Sequence, residues 1–111
     1  MMAEINLEDL LGKMLNAAMN SFQDKWPKTR EYGKSEFEKI GKTILFIQKE
    51  VIAGRMSEEK AKLHMNIQIN SAKMVLLTIE GLETLAVESA INEALAVVKD
   101  TVNTSLGFVL I

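Results

Sequence analysis

Apolar residues recur every three or four positions along most of this chain, the spacing of one face of an α-helix. Leu7, Leu11, Met14, Leu15, Ala18 and Phe22 share such a face, and Glu8, Asp9, Asn16 and Asp24 fall off it. The pattern predicts a first helix over about residues 5–23. A polar stretch follows, holding Gly33 and the only proline, Pro27. Pro27 disfavours helix at Trp26 yet suits a first helical position. Ser35 and Glu38 have the spacing of a capping box. A second helix is expected over about 28–53, regular from 35, with a seam of Phe37, Ile40, Ile44, Ile47 and Val51.

Gly54 suits the left-handed position that ends a helix, and Ser57 is a good N-cap, with Glu58 and Glu59 placed where the helix dipole favours acids. Two helices joined by so few residues turn back as an antiparallel hairpin. The third helix then meets no strong breaker from 57 to about 103. Gly81 is its one weak point, at about 1 kcal/mol against alanine. Such a helix would be a rod of roughly 65–70 Å at 1.5 Å per residue. The simplest layout is a long hairpin with helices 1 and 2 forming the opposite arm; in the alternative, helix 1 folds back on it. An apolar tail, 104–111, ends the sequence given. The expected fold class is all-α: a single helical domain over 1–111, a long antiparallel helical hairpin plus an N-terminal helix, assembling into an oligomeric helical bundle.

On a helical wheel the third helix has three apolar sets. The main stripe is Ala61, Met65, Ile69, Ala72, Leu76, Ile79, Ala86, Ala90, Ala94 and Val97. A second set lies nearly opposite, at Leu63, Ile67, Met74 and Leu85; a third develops with Val87, Ile91, Leu95, Val98 and Val102. One partner arm cannot cover all three, so the expected partner is a second copy of the chain. The residues expected at the oligomer interface are Leu76, Ile79, Glu83, Ala86, Ala90, Ala94, Val97, Ile91 and Val98. A second protein held by the apolar tail is the other expected partner.

Glu83 interrupts the main stripe, and a carboxylate there needs a cation, a metal or a proton. Lys28 and Arg30 stand level with it if helix 2 begins at Pro27. A carboxylate metal cluster would draw on Glu80, Glu83, Glu36 and Glu88. Ferritin-like sites, however, pair such glutamates with Glu-x-x-His, and the only histidine, His64, has Ala61 three positions before it. No metal or other cofactor is therefore expected.

Composition narrows the classes further. The chain has 111 residues, no cysteine and a formal charge of −2, so thiolate chemistry is excluded and a reducing, cytoplasmic setting fits. The acidic N-terminal residues lack the basic region of a secretory signal. Six uncharged residues at 74–79 precede Glu80, far short of a membrane span, and Glu83, Glu88 and Glu93 would be costly in lipid. Lys25, Lys28, Arg30, Lys34, Lys39 and Lys42 form a basic stretch with Trp26 and Tyr32 between them, but Glu31, Glu36 and Glu38 are interleaved. That reads as a solvated helix face rather than an anion or nucleic-acid site. No serine has a histidine at a recognisable spacing, and no glycine-rich phosphate loop exists. The expectation is a non-enzymatic, self-associating interaction, assembly or adaptor protein. The alternatives are a ferritin-like carboxylate metal-binding protein with its site formed across the oligomer, and a small nucleic-acid or anion-binding regulator using the basic segment 25–42.

Overall fold

The tight turn after Ile52 is set by backbone chemistry that is local in sequence. Gly54 takes a φ of +74°, its amide donates to the Val51 carbonyl at 3.0 Å, and the Arg55 amide donates to the Glu50 carbonyl at 2.9 Å. This pair of bonds is the glycine-closed end that satisfies orphan carbonyls. On the far side Ser57 Oγ accepts from the Lys60 amide at 3.2 Å and opens the next helix, as its N-cap position implies.

The structure, a computed structural model, describes residues 5–79 and 81–111. Among these, every regular element is helical. Helix α1 spans Leu7–Phe22, α2 Trp26–Ile52, α3 Glu58–Leu77, α4 Thr84–Ala96 and α5 Lys99–Leu106, with a short 3₁₀ turn over Gln23–Lys25. α1 packs on α2 and α4, α2 on α3, and α3 on α4, closing a four-helix ring on which α5 lies against α2. The body measures 43 × 22 × 18 Å, and α2, with 27 residues and roughly 40 Å of rise, matches its long axis.

Each helix contributes one buried stripe to a common core. Leu10, Met14, Ala18 and Phe22 come from α1; Phe37, Ile40, Ile44 and Ile47 from α2; Ala61, Met65, Ala72 and Leu76 from α3; and Val87, Ala90, Ile91 and Ala94 from α4. Gly41 allows α1 to approach α2 closely, since a Cβ there would stand 2.8 Å from Leu7 Cδ1 and 3.6 Å from the Met14 methyl. Two polar pairs fix how the helices sit. Thr43 Oγ1 donates to Gln68 Oε1 at 3.2 Å between α2 and α3, and Gln48 Nε2 donates to Ser105 Oγ in the buried contact of α2 with α5.

Three expectations need correction. The rod over 57–103 does not form: α3 ends at Leu77 and α4 begins at Thr84. Thr78 Oγ1 bonds the Val75 carbonyl at 2.6 Å, the Leu82 amide donates to the Ile79 carbonyl at 3.3 Å, and Gly81 has a φ of +88°. The break costs a few tenths to about 1 kcal/mol of propensity per residue. It lets Val87, Ile91, Val98 and Val102 become fully buried, at about 2 kcal/mol each, so burial decides. Second, α2 is regular from Trp26 rather than from 35, and Ser35 is an exposed mid-helix residue. Its first turn is held by Thr29 Oγ1 bonding the Lys25 carbonyl at 2.8 Å and by Trp26 stacked on Phe22 at 6.3 Å. Third, of the two layouts left open for helix 1, the simpler extended arm gives way to the alternative, in which α1 folds back on α2. The reversal falls at Gln23, whose φ of 53° and ψ of −119° suit glycine.

The tail resolves into α5 and a strap. Gly107, at φ +78°, closes α5, and Asn103 then clamps the returning chain. Its Oδ1 accepts from the Leu110 and Ile111 amides at 2.8 and 3.2 Å, and its Nδ2 donates to the Ile111 carbonyl at 2.9 Å. Leu106 and Leu110 are buried by this return.

Two of the positive-φ positions, Gln23 and Gly81, respond oppositely to substitution. Gln23→Gly relieves a strained position and is expected to stabilise the protein by about 1 kcal/mol, whereas Gly81→Ala introduces strain and destabilises it by about 1–2 kcal/mol. Urea unfolding followed by circular dichroism reads both changes.

Candidate functional site

α3 is the one helix of the ring that is apolar on two opposite faces. Its inner face carries Ala61, Met65, Ala72 and Leu76, all buried. Its outer face carries Leu63, Ile67, Met74 and Leu77, exposed by 60, 61, 70 and 41%. At 100° per residue these four fall within about 80° of one another and point away from the buried stripe. Phe46 of α2, 49% exposed, lies beside the face, where its ring meets His64 edge-on at 6.0 Å. Asn70 sits midway along the face and is exposed.

The surroundings sharpen the contrast. On α2 cations are interleaved with acids: the exposed Lys42 pairs with Glu38 and the exposed Lys39 with the buried Glu36, each at 3.1 Å. Lys62 pairs with Glu58 at 3.1 Å on the first turn of α3. From Leu63 to Leu77 the only formally charged residue is Lys73, which is half-buried at the flank.

Of the residues expected at an oligomer interface, Leu76, Ile79, Ala90, Ala94, Ile91 and Val98 are buried inside this single chain. They are not available to a second copy, because folding α4 back onto α1 covers them internally. Ala86 is half-buried, and Val97 and Glu83 are exposed. Glu83 does not interrupt a buried seam. It takes the extended N-cap conformation of α4 and makes no side-chain capping bond. The ammonium groups of Lys28 and Lys25 stand 3.5 and 3.6 Å from where a Cβ on Gly81 would be, so the start of α2 lies beside this turn.

The carboxylates considered for a metal do not converge. Glu80 lies outside the described residues. Glu83 is the N-cap residue of α4, Glu88 lies within that helix, and Glu36 is buried on α2. Among the described residues no group of three histidine or carboxylate side chains could hold a metal ion. His64 is exposed against Phe46, and the buried Ser105 bonds Gln48, so no serine–histidine pair is assembled at either residue. No helix among the described residues is long and apolar enough to cross a membrane.

Among the described residues Glu36 is the one buried acid, 3% exposed, and sequence reasoning found it only as a distant metal candidate. Its Oε2 accepts from Lys39 Nζ at 3.1 Å, and its Oε1 has no hydrogen-bond partner. A buried orphan acceptor costs about 1–3 kcal/mol.

Comparison with protein-family models, with curated proteins and with solved structures gave no match. The surface must therefore be argued from its own geometry. Sequence reasoning had found Leu63, Ile67, Met74 and Leu85 as a second apolar set; the break after Leu77 puts Leu85, also exposed, on α4 instead. That reasoning missed Leu77 and Asn70, for which the signal was the alternating spacing of four and three at 63, 67, 70, 74 and 77.

Two outcomes follow from the electrostatics. Glu36→Met, similar in volume and without an orphan oxygen, is expected to stabilise the protein by about 1 kcal/mol in urea unfolding. Glu50 is held below the usual glutamate range by its hydrogen bonds from Arg55, at 2.8 Å from Nε and 3.1 Å from Nη2. A depressed pKa gives stability that is present above the ordinary glutamate value and is lost as pH falls through the folded value. Carboxyl NMR titration should find Glu50 low, and Arg55→Ala should return it toward its ordinary value.

Proposed function

We propose that the chain is a non-enzymatic helical interaction and assembly protein whose contact surface is the outer face of α3. The observation that carries this reading is the exposure of Leu63, Ile67, Met74 and Leu77 along one face of a helix already buried on the other. Each exposes on the order of 100 Å² of apolar surface. Together they form a patch of about 400 Å², the size of the largest patches on monomers, which are often functional. Nothing in local folding requires these residues: polar side chains at the same positions would leave the core untouched. Their cost in solubility is offset when another surface covers them.

The shape of the patch supports a helix rather than a small molecule as what it meets. It is a straight ridge about 21 Å long at 1.5 Å per residue, not a hollow. Ridges of this kind pack into the grooves of other helices. The open groove beside it is mixed, with Ile69, Leu95, Leu110 and Ile111 alongside Asn66, Asn92 and Lys99.

A photoreactive side chain tests the assignment. Placed at position 74 in protein made at its natural level, it is expected to form a discrete adduct, and at Asn16 on exposed α1 it is expected to form none. Equal adducts from both positions, or none from position 74, would contradict the reading.

A further inference from the structure

We infer that the occupant of the outer face of α3 is a second copy of this chain, packed on the same face about a two-fold axis near Asn70; this rests on the contact surface proposed above. The spacing comes first. Leu63, Ile67, Asn70, Met74 and Leu77 alternate by four and three, the 3.5-residue repeat of a helix–helix seam. The inner face of α3 already serves the core, so this second seam has no partner among the described residues.

Area comes next. With Phe46 the face presents about 500 Å² of apolar surface, so a symmetric pair removes about 1,000 Å² from water, the lower limit of a specific interface. A two-fold contact reaches that size because the same patch counts twice. Charge does not oppose it, since Lys73 is the one formal charge between Leu63 and Leu77 and it lies at the flank.

Asn70 discriminates between occupants. It is the single polar residue of the seam and sits at its middle. An apolar ridge from a different protein would cover its amide and leave donors and acceptors unpaired. A second copy brings its own Asn70 to the same level, opposite in a parallel pair and within one turn in an antiparallel one. The two amides then meet each other, and a polar residue placed in this way fixes register at some expense in affinity.

Sedimentation equilibrium of the full chain, from low micromolar to several hundred micromolar, tests the inference. The mass is expected to rise from 12.4 kDa toward twice that value. Ile67→Lys and Met74→Glu should weaken association by at least tenfold with helicity unchanged, because both side chains are exposed in the monomer. Asn70→Leu should strengthen it about tenfold. The chain has no cysteine, so Asn70→Cys can be joined to itself by a short bis-maleimide while Asn20→Cys on α1 should not be. A wild type that stays monomeric throughout overturns the second copy; an adduct with a different protein at position 74 would then leave the surface assignment standing. A dimer indifferent to Ile67→Lys and Met74→Glu overturns both.

Discussion

The turn around Gly81 is the constraint on which the rest of this molecule depends. With a φ of +88°, it is a position that residues with a Cβ rarely adopt, and it ends the run of helix that begins at Glu58. Because the chain reverses there, α4 lies on α1 and the ring closes. The lysines that reach over Gly81 from the start of α2 mark how near the two ends of the bundle come. Without that reversal Val87, Ala90, Ile91 and Ala94 would face water.

Closing the ring settles what α3 can do. A helix with one apolar face would be finished once it met α2 and α4. α3 has two, and the fold uses the face containing Met65 and Leu76 while leaving the face containing Ile67 and Met74 outside. The polar ties of the bundle, Thr43 with Gln68 and Gln48 with Ser105, all lie on α2 and hold its neighbours from behind. The outer ridge is carried on a helix whose opposite face is packed in the core.

Much of this was legible in the residues. Gly54 and Ser57 announced the α2–α3 hairpin because caps are local chemistry, read from one or two side chains. The second apolar set at Leu63, Ile67, Met74 and Leu85 was visible from spacing alone, although the chain itself buries most of the other two sets. The break after Leu77 was not legible. Thr78, Ile79 and Gly81 each weaken a helix slightly, and only the tertiary burial of α4 against α1 makes their sum decisive. That same omission misplaced the candidate interface onto Leu76, Ala90, Ala94 and Ile91, which the chain buries for itself. It also made Glu83 look like a seam-breaking carboxylate, when it is the exposed first residue before α4. Gln23 was missed for a related reason: its side chain carries no turn signal, and the reversal there is imposed by Phe22 and Trp26 packing together.

The central claim is that the fold leaves one helix face to be covered, and amide NMR of dilute and concentrated protein tests it most directly. The account predicts concentration-dependent shifts confined to residues 63–77 at outer positions and to Phe46, with the inner positions Ala61, Met65 and Ala72 and the exposed residues of α1 unmoved. Spectra that do not change with concentration, or shifts centred on α1 and α4 around Met19 and Val97, would contradict it.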